Sequence, residues 1–353
     1  MTTGYKWLAR FWLDGPAGLH DRPRSPRSCP HRTPRDVEIA ILHTRQRHPD
    51  WGPVTILDYL RRQRPNLPLP AASTAGEILR RNGLPRRHRR RNPGHPGLGP
   101  TLPSRPNAVW TADFKGQFKT LSGHYCFPLT ILDGFSRFCL ACQGLPSTEH
   151  NLTQPVFERV FREFGLPEAI RTDNGAPFAT QAIRRLSRLH VWWIHLGIRP
   201  ELILPGRPYL NGRHERFHLT LKRRTAFPPR SNLATQQLAF DEFVTEYNIV
   251  RPHRALDGES PDSLYTPSLR PFPKHLPPVL YPNDFETRLV SRDGHIRWSC
   301  GHVMITHVLE GEYVGLEEID NEVFAVYFGP LGLGRFREGE WKLHGTYAYN
   351  MPT

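Results

Sequence analysis

The fold of this chain is decided by residues 107–143, NAVWTADFKGQFKTLSGHYCFPLTILDGFSRFCLACQ. Apolar and polar residues alternate in three runs of this stretch, at residues 109–118, 125–132 and 137–143. Alternation with a period of two is typical of β-strands that bury one face. Because short turn segments separate the runs, we expect the three strands to pair in succession as a meander.

Downstream of this meander, helices alternate with strands. Helical spacing covers residues 153–164, 211–224 and 233–247, while short strands end in RTDNG at residues 171–175 and cover residues 198–204, with another helix between them. Strands that are separated by helices pair in parallel. Residues 107–265 are therefore expected to form one α/β domain with a mixed sheet flanked by helices.

Three short helices are indicated in residues 33–84. The first begins with Thr33 as a cap and Pro34 at the first helical position, and the second covers residues 54–62. The third opens with Thr74 and Glu77 in the spacing of a capping box and stops at Asn82-Gly83. These helices predict a helix-turn-helix DNA-binding domain, with a small helical adaptor as the alternative.

Upstream of these helices, residues 4–12, GYKWLARFW, have helical spacing but no earlier helix to pack on. Residues 1–32 are therefore interpreted as the remnant of a helix-turn-helix followed by a linker.

The chain is strongly basic, and the excess lies at its start. The formal net charge is +14, and residues 1–106 account for +13 of it, with 20 Lys and Arg against 7 Asp and Glu. Neutralising phosphates releases condensed counterions, so double-stranded DNA is the expected partner. No apolar run approaches a membrane span and no signal peptide is evident, so we expect a cytoplasmic protein.

A basic linker is predicted at residues 85–106, where proline and glycine interleave with arginines. The expected phosphate contacts are Arg86, Arg87, Arg89, Arg90 and Arg91. The segment is too polar to form a core, and its alternative role is a solvated charge run.

The five cysteines, at positions 29, 126, 139, 142 and 300, are odd in number and scattered. This distribution favours a reducing compartment over a disulfide framework. Cys139 and Cys142 form a single CxxC in an apolar run, without a second CxxC or an HxxxH partner. We interpret this pair as strand packing rather than as a zinc or redox site.

The C-terminal region begins with a Pro-rich linker at residues 266–283. In ETRLVSRDGHIRW, residues 286–298, two strands are expected to form a hairpin at Asp293-Gly294, and NEVFAVYFGPLGLGRF supplies further strands. Residues 284–345 are predicted to close into a small β-barrel. Residues 281–345 hold 11 acidic and 6 basic residues, so a protein-protein role is as compatible as DNA contact.

Three carboxylates stand out for possible chemistry. Asp113 lies in the first strand, where alternation places it on a face expected to be apolar, and Asp173 closes a strand whose carboxyl end is where ligand sites form. Glu215 lies on a helix whose apolar residues Phe217 and Leu221 face another way. Oxygen donors suit Mg²⁺. Taken singly, each carboxylate also fits a local role: a paired strand residue, a turn, or a helix-dipole partner.

Five motifs carry a resemblance to a known family: WTADFKG (110–116), LTILDGFSRF (129–138), RTDNGAPF (171–178), PGRPYLNGRHERFHLTLK (205–222) and YNIVRPHRAL (247–256). In this order they resemble the DDE transposases of bacterial insertion sequences. The catalytic core of that family is similar to retroviral integrases and has the ribonuclease H fold.

The resemblance implies that Asp113, Asp173 and Glu215 are the catalytic triad and hold two Mg²⁺ or Mn²⁺ ions. It also implies a helix-turn-helix that binds element ends, a C-terminal SH3-like barrel, and a homo-oligomer working on element-end and target DNA. The 41 residues between Asp173 and Glu215 indicate an insertion around Trp192-Trp193. Arg207 and Leu210 depart from the family pattern, where His and Gln are common.

Basic residues near the expected triad are candidates for binding DNA phosphates rather than for base recognition. These are Lys115, Arg216 and Lys222, with Arg80 and Arg81 on the N-terminal helices. In YNIVRPHRAL we favour structural packing over DNA contact. Two alternatives to an active transposase are a catalytically decayed DNA-binding protein and a ribonuclease-H-like nuclease acting on hybrids or branched DNA.

Overall fold

The computed structural model of this chain describes residues 2–20, 33–84, 101–203, 212–320 and 322–344. Three regions follow one another along it: N-terminal helices, a mixed α/β region, and a C-terminal region of antiparallel strands.

A mixed six-stranded sheet forms the central region. Its strands are β1 Val109–Phe114, β2 Phe118–Lys119, β3 Tyr125–Asp133, β4 Cys139–Leu145, β5 Ala169–Thr172 and β6 Arg199–Leu202. Antiparallel pairs join β1 to β3, β3 to β4 and β2 to β3, whereas β1, β5 and β6 pair in parallel. The predicted meander and the predicted parallel edge are both confirmed. The first predicted strand is interrupted near Gly116, whose φ of +86° takes the backbone out of the extended region.

Helices cover both faces of this sheet, as predicted. They are α5 His150–Phe164, α6 Arg188–His195, α7 Gly212–Leu221 and α8 Leu233–Thr245. Phe157 and Phe161 of α5 and Trp193 of α6 join Trp110 and Ile131 in one hydrophobic cluster. Phe217 of α7 and Phe240 of α8 join a second cluster with strand residues of β3 and β4.

The cysteine pair packs in this second cluster, as predicted. Cys126, Cys139 and Cys142 are buried free thiols, and burial raises the pKa of Cys126 to about 12. The structural interpretation of YNIVRPHRAL is likewise supported, because Asn248 forms two hydrogen bonds with the backbone of Cys139, at 2.8 and 2.9 Å.

The N-terminal helices are α1 Thr2–Asp14, α2 Arg35–Arg47, α3 Pro53–Gln63 and α4 Ala72–Arg81. Val37, Ile41, Trp51, Ile56 and Ile78 form the fully buried centre of the bundle made by α2, α3 and α4. On α1, by contrast, large apolar side chains such as Trp12 and Leu13 are exposed.

Two predicted helix starts in this bundle are wrong. Pro34, in extended conformation, occupies the N-cap of α2, so Thr33 lies outside the helix. Thr74 lies inside α4, which begins at Ala72 and has no side-chain cap, because alanine propagates a helix readily without one. The predicted stop is confirmed at Gly83, whose φ is +71°.

The C-terminal strands are β7 Glu286–Leu289, β8 His295–Trp298, β9 Gly301–Met304, β10 Tyr313–Asp320, β11 Val323–Phe328 and β12 Leu331–Arg337. They form a four-stranded sheet, β12-β11-β10-β7, and a two-stranded one, β8-β9, around one hydrophobic cluster. Closure into a barrel stays a prediction.

The predicted hairpin at Asp293-Gly294 is wrong as a strand pair. The turn exists, with Gly294 at φ +76°, but β7 pairs with β10 and β8 pairs with β9. The turn reverses the chain locally, whereas the partner of each strand is chosen by the side chains that it buries. Val290 and Ile296, on either side of the turn, both point into the common cluster.

Contacts join the C-terminal strands and parts of the two predicted linkers to the central α/β region. Val191 and Ile194 of α6, in the predicted insertion, belong to the hydrophobic cluster of the C-terminal strands, and His195 Nε2 lies 2.9 Å from Glu312 Oε2. Parts of both predicted linkers pack on the core: Thr101 Oγ1 donates to Glu201 at 2.6 Å, and Arg270 donates to three backbone carbonyls. No helix in the described ranges is long and apolar enough to cross a membrane.

Candidate active site at the β1 and β5 strand ends

Two of the three candidate carboxylates lie side by side at the sheet. Asp113 is on β1, and Asp173 directly follows β5. The parallel register pairs Ala112 with Thr172, and each aspartate is the next residue along its chain segment, Asp113 still on β1 and Asp173 just beyond β5. Adjacent strands lie about 4.8 Å apart, and side chains at matching positions share one face. Both residues are half-buried, so the sheet forms a two-carboxylate edge that water reaches.

The face that carries Asp113 is polar, which corrects the expectation of an apolar face. Its neighbours there are Thr111 on the same strand, Thr130 on β3, and the buried histidines His214 and His218 of α7. The apolar residues of β1, Trp110 and Ala112, point to the opposite face. Alternation along β1 therefore separates a polar face under α7 from an apolar face under α5.

Thr130 is the centre of a compact hydrogen-bond group. Its hydroxyl lies 2.7 Å from His214 Nε2 and 2.7 Å from His218 Nε2, and it donates to the carbonyl oxygen of Asp113 at 3.0 Å. His214 Nδ1 lies 2.9 Å from Thr111 Oγ1, and His218 Nδ1 lies 3.9 Å from Asp113 Oδ2. Burial lowers the pKa of His214 to about 3 and that of His218 still further, so both rings are neutral at physiological pH.

Asp173 lies in a turn that connects β5 to the next segment. Its Oδ1 accepts the backbone N–H of Gly175 at 3.1 Å, and Asn174 donates to the carbonyl of Ile203 at 2.8 Å. Burial raises the pKa of Asp173, and the Gly175 hydrogen bond offsets this only in part. The local turn that was the alternative role of Asp173 is therefore present. A nearby cation would stabilise the ionised form of its carboxylate.

Glu215 lies on α7 between the two histidine positions but points away from them. It is exposed, while Phe217 and Leu221 are buried, as predicted for separate faces of this helix. Within the described part of the chain, no group of three His, Cys, Asp or Glu side chains is arranged to hold a metal ion. The departures noted at Arg207 and Leu210 lie outside the described residues.

Lys115, two residues after Asp113, and Lys222 line one cavity, and Lys222 Nζ lies 5.1 Å from the centre of the Phe227 ring. Burial and the neighbouring Lys222 lower the pKa of Lys115, against the opposing effect of Asp113. Lys222 and Arg216 are exposed. This arrangement suits phosphate binding next to the carboxylates, since Lys and Arg commonly contact the DNA backbone.

The predicted DNA contacts in the N-terminal region are only partly described. Arg80 forms a two-bond pair with Glu77, at 2.6 and 2.7 Å, and Arg81 lies 3.6 Å from Glu38. Both arginines are exposed near the end of α4. The arginines at positions 86, 87, 89, 90 and 91 lie outside the described residues.

The sequence patterns did not predict that histidines and threonines lie beside Asp113. One signal was available: His214, Phe217, His218 and Leu221 follow the spacing i, i+3, i+4, i+7, which marks the buried stripe of a helix. Thr111 and Thr130 carried no such signal, because threonine is common on any strand.

The donor set at the sheet edge fits a hard divalent cation. Asp113 and Asp173 follow the paired residues Ala112 and Thr172 and carry carboxylate oxygens, which Mg²⁺ and Mn²⁺ favour. Burial raises the pKa of Asp173, and a bound cation would favour its ionised form.

Comparison with known proteins finds similarity to integrase core domains in this region. Two family models described as "Integrase core domain" match residues 103–208 and 196–261, and a third, described as "Homeodomain-like domain", matches residues 3–79. The last match supports a helix-turn-helix-like domain at the N-terminus and includes α1.

Among curated proteins, the chain is 33% identical over 122 residues to the Gag-Pol polyprotein of baboon endogenous virus (strain M7) and to the Pol polyprotein of feline endogenous virus ECE1. The matched segment is 35% of this chain but only 7% and 11% of those polyproteins, so the chain spans a small part of their length.

Similar solved structures include the HTLV-2 integrase catalytic core domain in complex with magnesium (17% identity, 46% of this chain and 98% of that one, TM-score 0.36). Another is a simian T-cell lymphotropic virus intasome in complex with PP2A regulatory subunit B56 gamma (17% identity, 83% and 97%, TM-score 0.40). Residues 103–261 are thus similar to integrase core domains, and a segment of the chain is similar in sequence to retroviral Pol proteins.

Proposed function

We propose that this chain is a transposase or integrase that cleaves DNA 3′ ends and transfers them to target DNA for a mobile element. The observation that supports the proposal is that Asp113 and Asp173 directly follow the paired residues Ala112 and Thr172 of two parallel strands, inside the segment matched by an integrase core model. Two carboxylates at one sheet edge, with lysines beside them, provide both cation ligands and phosphate contacts.

In this proposal Asp113 and Asp173, joined by Glu215, hold two Mg²⁺ or Mn²⁺ ions. When bound, such ions activate the attacking oxygen and stabilise the leaving oxygen during in-line displacement at phosphorus. Glu215 is the acidic residue of α7, the helix that packs on the Asp113 face of the sheet. Its exposed position leaves it accessible to substrate.

Basic side chains position the DNA strand. Lys115 and Lys222, which share a cavity beside Asp113, and the exposed Arg216 neutralise phosphates on either side of the scissile bond. The half-buried Lys115 provides a fixed contact. Arg216, on α7, and Lys222, directly after α7, reach the DNA from the protein surface.

The rest of the chain supplies DNA binding and assembly. The N-terminal helices, with Arg80 and Arg81, and the arginine-rich segment bind element ends, and +13 of the net charge of +14 lies in residues 1–106. Several copies assemble on DNA. An origin in a bacterial insertion sequence, with the protein in the cytoplasm and on the nucleoid, is part of the same proposal. Inverted repeats around the gene would test that origin.

The decisive experiment compares the full chain with Glu215→Gln in Mg²⁺- or Mn²⁺-dependent nicking and strand transfer. The substrate is DNA with the ends that flank the gene. Metal-dependent joining that is lost in Glu215→Gln supports the proposal. Tight DNA binding without cleavage by either protein favours a decayed DNA-binding protein, and cleavage of RNA–DNA hybrids without joining favours a nuclease.

A further inference from the structure

A single buried hydroxyl connects the strand of Asp113 to the helix of Glu215. Thr130 is 0% exposed, and the two histidines bonded to it, His214 and His218, are 1% and 7% exposed. The histidines precede and follow Glu215 by one and three positions on α7. Together they attach the helix that carries Glu215 to the strand pair that carries Asp113.

The hydroxyl of Thr130 fixes the direction of its own hydrogen bonds. A threonine hydroxyl has one hydrogen and two lone pairs. The hydrogen is donated to the carbonyl of Asp113, at 3.0 Å, so the two Nε2 atoms at 2.7 Å must both donate. His214 is also held on its other side, because its Nδ1 lies 2.9 Å from Thr111 Oγ1.

His218 also lies beside the carboxylate of Asp113, with its Nδ1 3.9 Å from Asp113 Oδ2. The hydroxyl of Thr130 meanwhile holds the backbone of Asp113 from the neighbouring strand.

We infer that Thr130, with His214 and His218, is a positioning group that sets the separation of Glu215 from Asp113. The inference rests on the proposed function, since it assigns the group a task at the same carboxylate site. Buried hydrogen-bonded groups of this kind leave little freedom, because each broken bond exposes an unpaired polar atom.

The test is a matched pair of variants in the full chain, Thr130→Val and Thr130→Ser. Valine keeps the volume but removes the acceptor of both histidines, whereas serine keeps the hydroxyl. Mn²⁺ binding is followed by the loss of the free-ion signal in electron paramagnetic resonance, together with kcat and KM for strand transfer, DNA affinity and Tm. Loss of a supporting hydrogen bond typically weakens metal binding or activity by about 10- to 100-fold.

For Thr130→Val we expect Mn²⁺ affinity and kcat to fall by about tenfold or more, with KM and DNA affinity nearly unchanged, and Thr130→Ser to restore both. Wild-type values of Mn²⁺ affinity and kcat in a folded Thr130→Val would overturn the inference, as would a fall in Tm alone. A wild-type chain that neither binds Mn²⁺ nor joins DNA would instead overturn the proposed function, and the inference with it.

If Thr130→Val does not fold, His218→Gln and His218→Leu decide between the outcomes. The amide N–H of glutamine can replace the Nε2 donor to Thr130, and leucine cannot. Rescue by glutamine but not by leucine supports the positioning group. Equal effects of the two substitutions on Mn²⁺ affinity contradict it.

Discussion

Charged side chains hold the N-terminal helical bundle to the core region, and Asp50 is the buried carboxylate among them. Asp50 is 7% exposed and accepts a hydrogen bond of 2.7 Å from Arg251 Nη1. It also lies 3.9 Å from Arg224 Nε, and Arg224 pairs with Glu246, which accepts from His48 Nδ1 at 3.1 Å. Asp50→Asn preserves shape and one acceptor oxygen but removes the negative charge between two arginines.

The size of the Asp50→Asn effect follows from the burial of the Asp50–Arg251 pair. Hydrogen bonds to charged groups contribute about 1.5–3 kcal/mol, and removing one buried partner leaves the other charge uncompensated. Because Arg251 is 17% exposed, solvent screens part of that charge. We therefore expect a loss of about 2 kcal/mol in the free energy that keeps the interface closed, which corresponds to roughly 30-fold more frequent opening.

Hydrogen exchange followed by mass spectrometry measures this opening in peptides that contain residues 44–51 and 246–251. The matched control is Asp58→Asn, on α3 of the same bundle. Asp58 pairs with Arg61 at 2.7 Å, but Arg61 is 61% exposed, so that loss should cost at most about 0.5 kcal/mol. Unchanged exchange in Asp50→Asn, or the same change in both variants, would refute the reasoning.

Two further predictions concern Asp173 and Glu246. Asp173→Asn is expected to abolish DNA cleavage while DNA affinity and its salt dependence stay nearly the same, and cleavage retained by this variant would remove Asp173 from the site. Burial raises the pKa of Glu246, but the His48 hydrogen bond and the charge of Arg224 outweigh it, so the pKa is lowered from 4.5. A lowered folded-state pKa contributes stability that is present above about pH 4.5 and is lost as pH falls through the folded value. Protection factors in residues 246–251, which divide the intrinsic exchange rate at each pH by the measured rate, should therefore fall below pH 4.5 in the wild type. Glu246→Gln should remove that pH dependence, and an identical pH profile of the protection factors in both proteins would contradict it.

The elements of the catalytic core could be predicted because each is marked by local periodicity. Alternation in residues 109–114 and 125–133 marks β1 and β3, and the Thr172-Asp173 strand end follows from a short apolar run before a turn. The parallel pairing of β5 with β6 also follows, since strands separated by a helix pair in parallel.

Other features depend on partners that are distant in sequence. The strand before Asp293-Gly294 pairs with β10 rather than with its neighbour, because burial of Val290 and Ile296 against a common cluster outweighs the turn. The helical spacing of His218 with His214 and Leu221 places it on the buried stripe of α7, but its hydrogen-bond partner Thr130 lies 88 positions earlier in the chain. No local pattern around either residue predicts that the two are in contact.

Sequence alone determined that this chain has a basic helical front, a mixed α/β core with two aspartates at adjacent strand ends, and a C-terminal β region. Charge counts and periodicity predict these features, and both are local properties of each short segment of the sequence. Only the tertiary structure decided which helix covers the Asp113 face, that two neutral histidines share one hydroxyl there, and that Asp50 joins the bundle to the core. Each of these depends on burial and hydrogen-bond pairing across the fold, where a polar atom is stable only beside the partner that packing brings to it.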